Sequence, residues 1–372
     1  MEKYCGLDVH KGSVFMCILN ENNEKYEEVF GTLTPELERL RDALVDHGVG
    51  QVAMESTSIY WYPVWRVLET DFDVKLVNPL FIKQLPGRKS DVRDAKWIAT
   101  VLMKGLVRGS FVPPGIIQQL RMYNRKIINL SKDLRRSEQG MDLVLQRCNM
   151  RLSNYLSDIG SKSMRKVAQS IAQGDFRPEH LLGLVHKRII TKHSAATIHA
   201  ALCGHFTPGD LDMLKLTMQE IDFLENQISF CKARLLENCR DYFGLQMELM
   251  VTIPGVQEHT AASIISEIGT NMNFFPSASA LVGWAGLRPR NDQSAGKIKG
   301  RKTLHGNKYL RLMLVQSAWG ASRTKGSPFM ARYQRLRKRM HHNKALIANA
   351  RKLLVVAWNI LAKKEPYFAK AT

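Results

Sequence analysis

The chain has 372 residues, 45% of them hydrophobic, which predicts two or three domains with real cores and excludes a disordered chain. It has no unbroken apolar run of 18 residues, and its start, MEKYCGLDVHKGSVF, lacks a basic end followed by an apolar stretch, so neither a membrane-spanning helix nor a secretory leader is expected. Its formal net charge is +20, and its six cysteines, at 5, 17, 148, 203, 231 and 239, form no C-x-x-C pair, which argues against a zinc site or disulfide framework and for reduced cytoplasmic thiols.

KYCGLDVHKGSVFMCIL, residues 3–19, predicts a strand, a tight turn and a second strand, and NENNEKYEEVF a hairpin tip and a third strand. TPELERLRDALVDHG predicts a helix with Thr34 as cap, Pro35 as first residue and Gly48 as stop. GVGQVAMES predicts a short buried strand, IYWYPVWRVLET an aromatic-rich helix, DVKLVNP a strand and SDVRDAKWIATVLMKGL a helix. Tyr60, Trp61 and Trp65 are read as core residues of the aromatic helix. Alternating strands and helices after an opening hairpin indicate an α/β domain over residues 1–112.

Pro113 and Pro114 mark a boundary, beyond which residues 113–245 read as helical. Leu120, Ile127, Leu134 and Met141 recur every seven residues, as do Leu214, Ile221, Ile228 and Leu235. These series predict either a coiled coil or two long helices of a bundle. Several shorter helices are expected over 150–210.

The last domain, residues 246–372, is expected to be mostly helical. ELMVTIPGVQEHTAASIISEIG reads as helix, turn and helix, similar to a helix-hairpin-helix whose turn, at Gly255, offers backbone N–H groups to a phosphate. The basic loop GLRPRNDQSAGKIKGRKTLHGNKYLR follows, then the run RYQRLRKRM and a closing apolar helix. Residues 283–372 carry 21 Lys/Arg against 2 Asp/Glu, whereas the rest of the chain carries 33 against 32. Nearly all the excess charge is thus in the last quarter, the footprint of a polyanion-binding region. Its short elements and glycine turns are unlike one basic amphipathic helix on a membrane, so nucleic acid is the expected partner. Arg288, Arg290, Lys297, Lys299, Arg301, Lys302, Lys308 and Arg311, with His305, are the expected contacts.

Four acids stand out. Asp8 lies inside the first apolar strand, Glu55 ends another, and Asp91 and Asp94 are three apart at a helix start. A charged residue in an apolar strand is costly unless paired or bound to a cation. Converging at strand ends, the four would make a hard-oxygen site suited to Mg²⁺, or Mn²⁺ in its place. Each also has a plainer role: Asp8 capping the turn at Gly12, Glu55 as a solvated strand end, Asp91 and Asp94 as a helix cap and capping box.

The order GLDVHK, AMESTSIYWYPVW, GRKSDVRDAKWIA resembles the RuvC-like, ribonuclease-H-fold domain of DEDD transposases. IPGV, TAASIISEIG, GWAGLRP and QSAGKIKGRKTLHGNKYLR resemble the C-terminal transposase domain of the same proteins, the one-ten/eleven-eleven insertion-sequence family, which includes Piv-type invertases and bridge-RNA-guided recombinases. The resemblance covers both ends of the chain, with the middle matching only as a helical arm. It implies that Asp8, Glu55, Asp91 and Asp94 bind the metal and that Ser294 attacks DNA to form a covalent phosphoserine link. It further implies double-stranded DNA as substrate, a structured noncoding guide RNA, and a tetramer, a dimer of dimers, in which the acids of one subunit meet the serine of another. The cytoplasm, at the bacterial nucleoid, is the expected location. A RuvC-like nuclease that uses water, with Ser294 merely holding phosphate, and a non-catalytic nucleic-acid-binding protein are the alternatives.

Overall fold

The computed structural model describes residues 2–56, 58–78, 94–107, 109–289, 292–294, 297–300 and 303–368, with backbone alone at 292–294 and 297–299. It forms two compact units, Met1–Val112 and Pro113–Thr372.

The first unit is built on one five-stranded sheet. Its strands are β1 (Lys3–Val9), β2 (Val14–Asn20), β3 (Lys25–Phe30), β4 (Gln51–Glu55) and β5 (Asp73–Val77), in the spatial order β3-β2-β1-β4-β5. β1 pairs antiparallel with β2 and parallel with β4, while β3 and β5 extend the two sides. This mixed sheet fits the ribonuclease-H type of fold expected for the RuvC-like domain. Two-residue alternation divides its faces. Cys5, Leu7, Val9, Val52 and Met54 join a core with Leu40 of α1 (Thr34–Asp46) and Val64 of α2 (Trp61–Leu68), and Trp61 and Trp65 pack at its edge. On the opposite face Ala53 meets Ile98 and Leu102 of α3 (Asp94–Met103), and Cys17 and Leu19 meet Ala95 and Ala99. The N-cap of α1 is Leu33, not Thr34, and its carbonyl accepts the Glu36 and Leu37 N–H groups.

Gly6 is what lets α3 sit down. A Cβ at this position would lie 2.2 Å from the Ala95 carbonyl oxygen and 2.4 Å from the Ala99 nitrogen. Backbone cannot yield as a flexible side chain does, so only glycine permits this contact.

In the second unit, α4 (Gly115–Arg147) and α9 (Pro208–Val251) are the two long helices, and they pack on each other. Leu120, Ile127 and Met141 of the first heptad series are buried, as are Leu214, Ile221, Ile228 and Leu235 of the second. Between them run α5 (Lys162–Ala172), α6 (Pro178–Leu184), α7 (Lys187–His193) and α8 (Ala195–Leu202). Thr207 and Asp210 form a capping box that opens α9, and non-helical angles at Phe243 kink it. The boundary expected after residue 245 therefore falls inside α9, and 113–372 form a single unit. On α9, Leu216, Phe223 and Phe230 are exposed at seven-residue spacing.

The unit continues with α10 (Glu258–Ile268), α11 (Ala278–Trp284), the hairpin strands β6 (Asp292–Ser294) and β7 (Lys297–Gly300), α12 (Lys308–Ala321), α13 (Pro328–Arg337) and α14 (His342–Lys363). Contrary to the expectation from apolar runs, α14 is long and apolar enough to cross a membrane. Arg351 and Lys352 break its run in sequence, yet Leu346, Leu353, Leu354, Ala357 and Leu361 are buried within the unit, against α11 and α12 among others. It is a core helix here.

Glu267 of α10 is fully buried and joins three helices. Arg125 of α4 donates from Nε to Oε1 at 3.1 Å and from Nη2 to Oε2 at 2.9 Å. Asn124 donates to Oε1 at 3.3 Å, and Asn307 to Oε2 at 2.6 Å. Arg121 Nε lies 3.7 Å from Oε2 while its guanidinium donates to the Ser266 and Glu267 carbonyls. Burial lowers Arg121 to about 10, against the pull of Glu267, so it stays charged at neutral pH.

Two substitutions check this architecture by guanidinium unfolding. Gly6→Ala is expected to destabilise the first unit by about 3 kcal/mol, the upper end of the cost of overpacking. Glu267→Ala is expected to cost the second unit about 3 kcal/mol, because it leaves the partly buried Arg121 and Arg125 and the buried Asn124 without their acceptor. A loss below about 1 kcal/mol in either variant, the ordinary surface range, would contradict the packing described.

Candidate active-site residues in the two units

Parallel pairing brings Asp8 and Glu55 together. The β1–β4 register runs from Tyr4↔Gln51 to Leu7↔Met54, so Asp8 and Glu55 are the next residue on each strand. Gly6 and Ala53 face α3, and two-residue alternation puts Asp8 and Glu55 on that same face. Asp94 is the first residue of α3, directly before the Ala95 that rests on Gly6. Three of the four expected acids thus occupy one sheet face, at the C-terminal ends of two parallel strands. Asp91 lies outside the described residues.

The electrostatics follow from that placement. The Asp8 side chain is 17% exposed, and burial pushes its carboxyl above the usual range. His10 pulls it back by charge and by a 3.1 Å contact between Nε2 and Asp8 Oδ2, while the negative charge of Asp94 pushes it further up. The turn after β1 is closed by the backbone, His10 N–H to the Ser13 carbonyl at 2.9 Å. A desolvated carboxylate raised by a second carboxylate is a setting that a hard divalent cation relieves, and the donors are oxygens. Asp8 and Asp94 fit such an ion, with Glu55 on the same face. Among the described residues no three acids, histidines or cysteines are close enough to hold an ion by themselves. His10 escaped sequence reasoning; its signal was its position two residues beyond Asp8.

In the second unit, the stretch read as a basic loop is a β-hairpin. Asp292 pairs with Gly300, Gln293 with Ile298 and Ser294 with Lys297, with a register shift between Asp292 and Gln293. Ser294 is therefore the last residue of β6, facing Lys297 in register across a two-residue connection. At the root, Pro289 bridges Thr303, and the Leu304 N–H donates to the Arg288 carbonyl at 3.1 Å. Below that, Gly286 and Gly306 meet backbone to backbone: a Cβ on Gly306 would lie 2.2 Å from the Gly286 nitrogen. The next residue is Asn307, whose Oδ1 caps α12 by accepting the Tyr309 and Leu310 N–H groups at 3.0 Å, and whose amide reaches Glu267.

The expected phosphate contacts are placed as follows. Arg288, His305 and Lys308 are exposed, and Lys308 Nζ stands 5.2 Å over the Tyr309 ring. Arg311 is half-buried and donates to the Gly286 carbonyl at 3.4 Å, so it braces the hairpin root. Lys297 and Lys299 lie on β7 with side chains outside the description, as is that of Ser294; Arg290, Arg301 and Lys302 lie outside the described residues. Gly255 takes φ +84 and packs against Ala321, where a Cβ would be 2.6 Å from the Ala321 nitrogen. The packing thus has its own need for glycine at the turn before α10. Glu258, in the first turn of α10, pairs with Arg240 at 2.5 Å.

Known proteins resemble both ends of the chain. A transposase family model of the DEDD, IS110 type matches residues 5–150, and a model of the IS116/IS110/IS902 transposase family matches residues 247–334. The chain is 30% identical over 135 residues to the pilin gene-inverting proteins of Moraxella lacunata and Moraxella bovis. That similarity covers 36% of this chain and 42% of each relative, so it spans less than half their length. A DEDD-type domain implies use of a divalent metal ion. With matching models over the acidic unit and over the hairpin region, in that order, the chain belongs to the IS116/IS110/IS902 family of transposases.

Proposed function

We propose that the protein is a DNA transposase, a site-specific recombinase that cuts and rejoins strands with Ser294 as nucleophile. The observation that carries this reading is the grouping of Asp8, Glu55 and Asp94 on one sheet face, with the carboxyl of Asp8 raised by burial and by Asp94. It is supported by Ser294 at the end of a hairpin strand within a region of 21 cations and 2 acids.

Asp8, Glu55 and Asp94, with Asp91, would hold Mg²⁺, or Mn²⁺ in its place. When bound, such an ion supplies Lewis-acid polarisation of the phosphate and stabilises charge on the departing oxygen. The Ser294 hydroxyl attacks phosphorus, loses its proton and forms a 5′-phosphoserine bond as the P–O3′ bond breaks. The 3′ oxygen leaves as a hydroxyl. Attack by another 3′-hydroxyl on the phosphoserine reverses the step and rejoins strands, with the phosphodiester count unchanged and no ATP required. Cations around the hairpin neutralise the crowded phosphate. A structured noncoding RNA encoded beside the gene selects the DNA by base pairing.

The subunits form a homo-oligomer in which the acids and the serine act at the same phosphate. The exposed heptad stripe of Leu216, Phe223 and Phe230 on α9 supports self-association, since apolar residues at that spacing form a helix seam.

The test uses a plasmid carrying the element ends, the protein, and RNA transcribed from the flanking DNA. Wild type gives a protein–DNA adduct that needs both the RNA and Mg²⁺. Ser294→Ala is expected to abolish the adduct and recombination together. Cleavage retained without an adduct would establish the water-using nuclease. Asp8→Asn is expected to abolish cleavage, and full recombination by this variant would sink the metal reading. It also has a readout apart from activity. Since the folded-state pKa of Asp8 is raised, protonated Asp8 favours folding, and that contribution is lost as pH rises through the raised value. In EDTA at neutral pH, Asp8→Asn should therefore melt higher than wild type, while added Mg²⁺ should stabilise wild type only. Separately, Phe223→Asp with Phe230→Asp is expected to lower the molar mass by light scattering, and an unchanged assembly would remove α9 as the interface.

A further inference from the structure

Beside the hairpin root lies a pocket of about 460 Å³. Leu287 and Pro289 line it from the hairpin side, and Ile347 and Ala348 from α14, with Lys344 and Arg351 among its lining. Residues 344, 347, 348 and 351 are three and four apart, so they share one face of α14. Ile347 and Ala348 are half-buried, while the core face of the helix is elsewhere, at Leu346, Leu353 and Leu354.

Arg351 also belongs to a cation cluster. Burial, and then the charges of Arg335, Arg339 and Arg351, lower the pKa of Arg332 on α13. The Arg332 Nε is buried and donates to no partner. None of these four arginines pairs with a carboxylate among the described residues, and 283–372 contain only Asp292 and Glu365 as acids. Four like charges drawn together cost free energy that a bound anion returns. The N-terminus of the 22-residue helix α14 adds its positive end to the same region.

An inorganic anion would use the arginines and leave the apolar walls empty. An apolar segment of protein would fill the walls and leave the arginines unneutralised. A nucleotide satisfies both, with an uncharged flat base for the walls and a phosphodiester for the cations. We propose that this pocket receives one unstacked base of the DNA strand engaged by the Ser294 hairpin, and that the Arg332, Arg335, Arg339 and Arg351 cluster holds the phosphates flanking it. The proposal rests on the reading above only in taking DNA as the substrate; it requires neither Ser294 chemistry nor a metal. Holding one base out of the stack at the hairpin root fixes the strand's register relative to Ser294.

The test is binding of the full chain to a fluorescent thymidine pentanucleotide and to the same oligonucleotide with its central base removed, in EDTA, by anisotropy. The intact strand is expected to bind about tenfold more tightly, within the range for one protein-held base. Ile347→Trp, which fills the pocket from a half-buried position, should erase that difference. Arg335→Gln with Arg339→Gln should weaken both strands alike and preserve it. Should Ile347→Trp fail to fold, Ala348→Met gives the same reading from a smaller change. Equal binding of the two strands by wild type would overturn the proposal, as would a difference that survives both pocket-filling variants. A change in assembly mass in Ile347→Trp with discrimination intact would assign the pocket to a second copy of the chain, and also overturn it. Adduct formation by Ser294 is scored separately, so the two readings stand or fall apart.

Discussion

The second unit depends on one buried carboxylate. Glu267 has no solvent exposure, and its oxygens take up donors from Arg125, Asn124 and Asn307. The partners come from two distant parts of the chain, α4 and the residue that caps α12, so the carboxylate fixes α4 against α10 and both against the start of α12. Desolvating a carboxylate is expensive, and only a full complement of donors makes the arrangement stable. Asn307 spends its amide on Glu267 and its oxygen on the first N–H groups of α12. The hairpin that carries Ser294 therefore returns to a helix start that cannot shift without disturbing the centre of the unit. The end of a two-stranded hairpin gains its positional definition from this root.

The first unit solves a related problem on a sheet face. Gly6 gives up a side chain so that α3 can touch β1, and the contact brings Asp94 to the strand end where Asp8 stands. Carboxylates so placed repel each other, and burial adds to the cost. The fold thus stores an electrostatic penalty on this sheet face that a bound cation would relieve.

Much of this was legible in the sequence because it is local. KYCGLDVHKGSVFMCIL was legible as a strand, a tight turn and a second strand, and the pair is β1 and β2. The two heptad series marked the long helices correctly, since a seven-residue repeat needs no knowledge of the partner. Ser294 was legible as a residue but not as the end of a strand, because Gly, Arg and Lys around it carry no two-residue alternation of apolar groups. The Glu267 network was invisible for a different reason. Arg125 and Glu267 are separated by 142 positions, and nothing near either residue announces the other. His10 was missed because one histidine at a strand exit has no pattern beyond its place two residues after Asp8. The closing helix was legible as an apolar helix, and Arg351 and Lys352, which interrupt its run, lie on its exposed side.

The hairpin root has a consequence of scale. From the Pro289–Thr303 bridge to Ser294 is five residues, a reach of at most ~17 Å at strand rise. The two glycines beneath it fix where that measurement begins. The arm therefore works as a ruler whose zero is set by Gly286 and Gly306 and whose length is set by residue count. Exchanging one residue for another along it leaves the reach intact, whereas removing two would shorten it by ~7 Å. The reach of this segment is then set by residue count and not by any buried partner, the reverse of the constraint that acts on Glu267.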